Sequence, residues 1–118
     1  MSDVDDMQAL EAIANIMEKI PNENVYGTMR SMKLRRIRTA SVNYMRACLA
    51  LHAVGLPITS NLVAYLTKPL PFTTADISAT VCALHNLGDK HCIILKRSDA
   101  KRRHYEWVVD PVFLEAYR

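Results

Sequence analysis

From residue 4 to residue 20 apolar side chains recur at helical intervals: Met7, Leu10, Ile13, Ala14, Met17 and Ile20, with Ile16 off the stripe. That spacing lines one face of a helix. Ser2 and Asp3 can cap its start, and Asp5 and Asp6 suit the positive end of its dipole. Pro21 stops it. Residues 21–27 read as a connection. From Thr28 to Arg38, Met29, Met32, Leu34 and Ile37 interleave with basic residues, a pattern that fits a helix or an ordered arm and does not choose between them. A firmer helix runs from Thr39 or Ser41 to Val54, with Met45, Cys48, Leu49 and His52 near its inner face and Gly55 as terminator. Leu56-Pro57-Ile58 is long enough for one short strand.

Thr59 or Ser60 then caps a short helix over Leu62, Val63 and Leu66, ended by the turn Lys68-Pro69-Leu70-Pro71. Thr73 and Asp76 have the spacing of a capping box, with Asp in place of the usual Glu, and Gly88 can take the left-handed position after the helix. Ile77, Val81, Leu84 and Gly88 share one face of it. The other face presents Thr74, Ser78, Ala79 and Cys82, with Thr80 as a further hydroxyl for contacts outside. Two apolar segments follow, His91 to Lys96 and His104 to Asp110, separated by Arg97-Ser98-Asp99-Ala100-Lys101-Arg102-Arg103. They read as a β-hairpin with a cationic tip. Tyr105, Trp107 and Val109 alternate toward the core, leaving His104 and Glu106 on a solvated edge. The pattern predicts helices near 4–20, 41–54, 59–67 and 73–87 and a hairpin near 91–97 and 104–109. This is a mainly α fold: a winged helix-turn-helix with a C-terminal β-hairpin wing and an extra N-terminal helix.

Charge sharpens that outline. Residues 1–24 hold six acids against one Lys, whereas residues 25–46 hold Arg30, Lys33, Arg35, Arg36, Arg38 and Arg46 and no acid. Residues 90–104 add six further Lys and Arg against Asp99 alone, yet the whole chain nets only +3. Two basic clusters around a neutral middle suit two contacts with one polyanion. At 118 residues the chain has room for one core. Its division is expected to be an N-terminal helix and basic arm over residues 1–40 and a winged-helix DNA-binding domain over 41–118. No apolar run approaches the roughly 18 residues of a membrane span. The acidic start lacks a secretory signal, and three Cys without tight spacing suit a reducing cytoplasm, nucleoid-associated if the source is prokaryotic.

From Ser41 to Asp110 the order of elements resembles a winged helix-turn-helix transcription regulator. Leu84-His85-Asn86-Leu87-Gly88 followed by Leu95-Lys96-Arg97-Ser98-Asp99-Ala100-Lys101-Arg102-Arg103 is similar to the MarR type. In that family a leucine-and-glycine helix end leads into a strand and a wing with an Asp shortly before an Arg pair. The resemblance implies a homodimer on double-stranded DNA, with the helix from Thr73 in the major groove and Lys101, Arg102 or Arg103 near the minor groove. Only Pro111 to Arg118 follow the wing here, so the dimer interface is expected on the N-terminal helix. The recognition helix also lacks the Arg, Lys and Gln that make bidentate base contacts. Affinity is therefore expected to rest on phosphates and DNA shape.

Other chemistry is weakly represented. Cys82, His85, His91 and Cys92 superficially suggest zinc, but adjacent His91 and Cys92 in a strand point to opposite sides, and the separations miss the usual spacings. Cys48 and His52, four apart on a helix, more often fill a core. No phosphate-cradling glycine loop, nucleophile elbow or His-Glu metal motif is present, so neither an enzyme nor a cofactor or metal is expected. The expected function is DNA binding as a small dimeric transcriptional regulator. Its contacts are expected from Arg35, Arg36, Arg38, Thr73, Thr74, Ser78, Ala79, Lys96, Arg97, Lys101, Arg102 and Arg103. The alternative is a winged-helix protein–protein adaptor or a replication or partition factor of a mobile element or virus.

Overall fold

A computed structural model of the chain describes residues 3–97 and 105–118, and these form six helices and a two-stranded antiparallel hairpin. In chain order they are α1 (Asp3–Glu18), α2 (Asn22–Ser31), α3 (Thr39–Ala53), α4 (Ser60–Thr67), α5 (Thr74–Asp89), β1 (Ile93–Arg97), β2 (Tyr105–Val109) and α6 (Pro111–Tyr117). No described helix is long and apolar enough to cross a membrane. The fold is thus mainly helical, with the hairpin where the alternating pattern put it.

The axis of the core is α3. Val42, Tyr44, Met45, Ala47, Cys48, Leu49, Ala50 and Leu51 are all buried, and α1, α2, α4, α5 and β2 pack around them. A helix that is apolar nearly all round must be enclosed by its neighbours. His52, expected on the inner face, is instead exposed in the last turn, where a basic side chain meets the negative end of the dipole. One cluster unites Ile13 and Met17 of α1, Val25 and Met29 of α2, and the α3 residues with Leu84, Trp107, Val109 and Phe113.

The N-terminal region departs from expectation in two places. Residues 21–27, expected as a connection, open α2. Pro21 sits at the position before the helix with φ −66° and accepts from the Val25 amide, so the proline that stops one helix starts the next. The undecided segment 28–38 divides: its first residues complete α2, and residues 32–38 form an arm leading into α3. Arg46, counted with the basic cluster, reaches back to the end of α1. Its guanidinium donates to the carbonyls of Ile20 and Met17, both at 2.8 Å. That cation is consumed by a helix end.

Three helices end alike. At α2 the Leu34 amide donates to Met29 and the Lys33 amide to Arg30; at α3 Leu56 and Gly55 donate to Leu51 and His52; at α5 Cys92 and His91 donate to Leu87 and Gly88. This pair of bonds is the Schellman motif, and its left-handed residue is Lys33 (φ 62°), Gly55 (φ 75°) or His91 (φ 64°). Gly55 was foreseen. Gly88 was not a terminator after all: it lies inside α5, and a Cβ there would stand 3.3 Å from the Ile93 carbonyl oxygen. The glycine permits close approach of the hairpin to the helix.

The hairpin pairs Ile93 with Val109 through Arg97 with Tyr105. Leu56-Pro57-Ile58 yields a single bridge rather than a full strand: the Trp107 amide donates to the Ile58 carbonyl at 2.8 Å. Asp110 then caps α6 by accepting from the Val112 amide at 3.0 Å, with Pro111 in the first turn. The helix buries Phe113 and packs on α2. It is too short for a period to show, and it was not expected.

The left-handed His91 gives a stability test. His91→Gly removes a Cβ from a conformation that costs L-residues about 1 kcal/mol, and the Schellman bonds remain. The urea midpoint should rise by the equivalent of about 0.5–1 kcal/mol. A fall would mean that the His side chain stabilises this end.

Candidate nucleic-acid interface

The helix α5 is held at its start by reciprocal bonds. Thr73 Oγ1 accepts from the Asp76 amide at 3.3 Å, while Asp76 Oδ2 accepts from the Thr73 amide at 2.7 Å and from its hydroxyl at 2.9 Å. The backbone bond first, then the side-chain bond, lowers the pKa of the Asp76 carboxyl below its ordinary value. A carboxyl stabilised in this way supports the fold above the usual carboxylate range, and the support fades as pH falls through that range and below it. Thr73 is engaged in this cap.

Beyond the cap, α5 divides into faces. Thr80, Leu84 and Leu87 are buried, with Ile77, Val81 and Gly88 half-buried beside them. Thr74, Ser78, Ala79 and Cys82 are exposed, as the spacing predicted. Thr80 is not available to anything outside: it is fully buried, and its hydroxyl donates to the Asp76 carbonyl at 2.9 Å. What α5 offers is a face of small, uncharged side chains over its first three turns, followed by exposed His85, Asn86 and Asp89.

Each flank of that face carries a different segment. On one side Ala83, Asn86 and Lys90, spaced along one helical row, line a cleft of about 480 Å³ with Arg35, Arg36 and Arg38 of the arm. Lys90 Nζ donates to the Arg35 carbonyl at 3.2 Å and ties the arm to the helix. On the other side the His85 ring meets the Trp107 ring edge to face, 5.0 Å between centroids at 82°. Gly88 lets the hairpin close in beside it. The exposed face of α5 therefore lies between the arm and the hairpin.

The expected contact residues distribute accordingly. Arg35, Arg36 and Arg38 are exposed on the arm, and Lys96 is exposed on β1 opposite Glu106. Arg97 is in β1, paired in register with Tyr105. Lys101, Arg102 and Arg103, with the hairpin tip, lie outside the described residues. Lys90 and Asn86 were not among the expected contacts. Their row with Ala83 is visible in the sequence, but the arm's position against it is not.

The thiols separate by environment. Burial pushes the Cys48 thiol up to about 12, with nearby Cys92 adding to the rise. Cys92 is raised to about 11, again chiefly by burial, with Lys90 pulling down and Asp110 pushing up. His91 is exposed and Cys92 buried, so the adjacent pair faces apart. Among the described residues no three His, Cys, Asp or Glu side chains converge on a metal position. With Cys82 exposed and the other two thiols buried and protonated, a disulfide reagent at pH 8 should modify one thiol per folded chain. The remaining two should react only with unfolding. Fast reaction of two or three thiols would contradict the burial of Cys48 and Cys92. Comparison with protein-family models, curated proteins and solved structures finds no match to this chain.

Proposed function

We propose that the chain binds duplex DNA as a winged helix, with α5 in the major groove, and works as a small dimeric transcriptional regulator of the MarR type in the cytoplasm. One observation carries this reading: the exposed, small-residue face of α5 lies between the cationic arm and the hairpin. Small side chains allow a helix to sit deep in a groove, and cations on both flanks meet the two phosphate ridges beside it. With no long polar side chain along the first three turns of that face, positioning by phosphates and reading of DNA shape supply most of the affinity.

The dimer is proposed through α1. Ile13 and Met17 are spent on the chain's own core, whereas Leu10, Ile16 and Ile20 stay half-exposed at the edges of the stripe. These edges are what a second copy would cover. The same neutral α5 face also suits a protein partner, which keeps the adaptor reading as the competitor.

Arg102→Ala with Arg103→Ala should weaken binding to random and selected duplexes about equally and reduce the salt slope by about two, one per phosphate contact. An unchanged slope would take the wing off DNA and favour the adaptor. For the dimer, Leu10→Glu should convert the sedimenting species to monomer while helicity by circular dichroism is retained. A variant that remains dimeric would place the interface away from α1.

A further inference from the structure

The cleft between the arm and α5 concentrates more positive charge than a fold needs in one place. Arg35, Arg36 and Arg38 form one wall, Lys90 stands on the other with Asn86, and the lining contains no Asp or Glu. Ser41 and Tyr44, the latter buried at 6 % exposure, add to the lining from the first turns of α3. A fifth cation lies close by, since Lys68 Nζ sits 5.7 Å above the Tyr44 ring. The nearest acids stand outside this lining, Asp89 in a neighbouring cleft with Arg35 and Lys90 and Asp76 within the influence of Lys68, so the cleft itself presents positive charge to an anion.

The backbone of the arm is set for the same arrangement. Lys90 bonds to the backbone carbonyl of Arg35, so its ammonium is tied to the arm within the lining of the cleft and does not engage the Arg35 side chain. Arg36 adopts φ 54°, a left-handed conformation that costs a non-glycine residue stability and is commonly retained where a site requires it. Arg38 stands at the position before α3, a helix that begins without a side-chain cap. The cleft thus brings together guanidinium forks, an ammonium, an amide and a hydroxyl, the donor set that recognises phosphate oxygens.

We propose that this cleft is a phosphate seat, taking one phosphate group between Arg35, Arg36 and Arg38 on the arm and Lys90 on α5. It rests on the DNA-binding reading only for the source of that group. In that reading the group is a backbone phosphodiester of the strand beside the C-terminal half of α5, and the seat fixes the register of the helix in the groove. A free phosphate ester has the same chemistry and would enter the same cleft.

The test is a titration with inorganic phosphate at constant ionic strength, followed through the backbone amide signals of Ser41, Asn86 and Lys90. Saturable shifts confined to these residues are expected. Arg35→Ala with Arg38→Ala should weaken the apparent affinity about tenfold. Arg36→Gly removes a cation and suits the left-handed backbone, so it should weaken phosphate binding without lowering thermal stability. Shifts that are linear, dispersed over the surface or unaltered in these variants would overturn the seat.

A second titration uses a random-sequence duplex. Movement of the same amides, with phosphate competing, assigns the seat to the DNA backbone. If phosphate and adenosine monophosphate saturate the cleft while the duplex leaves it untouched, the seat stands with a free ester as ligand and the DNA reading loses its support. If the duplex binds through the wing while the cleft answers to neither probe, the seat is overturned and the DNA reading stands.

Discussion

The burial of α3 is the constraint on which the other elements depend. A helix with eight buried side chains among its fifteen residues cannot remain in water, so it must be enclosed by several partners at once. The partners come from both ends of the chain, α1 and α2 before it and α4, α5 and β2 after it. The arm and the hairpin consequently meet the same α5 although more than fifty residues separate Arg38 from Tyr105 in the sequence. Their placement on either flank of α5 follows from the need to cover α3.

Charge in this molecule is divided between holding and display. Arg46 and Lys90 both reach backbone carbonyls in other segments, Arg46 closing α1 and Lys90 tethering the arm. Arg35, Arg36 and Arg38 remain exposed. A count of basic residues along the chain weights all five equally. Their roles diverge only once α3 has brought α1, the arm and α5 together: Arg46 is wholly engaged by the end of α1, whereas Lys90 both tethers the arm and lines the cleft beside the exposed guanidinium groups.

Much of the fold was legible because local chemistry and packing agree there. Thr73 and Asp76 announced their capping box, Thr59 or Ser60 a cap that the structure gives to Thr59, Gly55 its helix end, and the alternation through Trp107 and Val109 its strand. Failures occurred where an unusual residue fills a common role. Lys33 and His91 occupy left-handed positions that glycine normally marks, so two helix ends were hidden and Gly88 was assigned a task that His91 performs. Pro21 signalled a stop and concealed a start. At the candidate site, the exposed row of α5 was readable from its period. The cleft was not, since it depends on an arm folding back across fifty-five positions, from Lys90 to Arg35.

The edge-to-face contact between His85 and Trp107 has a spectroscopic consequence. The chain has a single tryptophan, 2 % exposed at the junction of α5 and β2, and its buried indole N–H has no hydrogen-bond partner among the described groups. Its emission comes from one dry site where helix and hairpin meet. A displacement of the hairpin from α5 large enough to expose that unpaired N–H to water would move the emission to the red. The protein thus carries an intrinsic optical gauge of the angle between α5 and its hairpin.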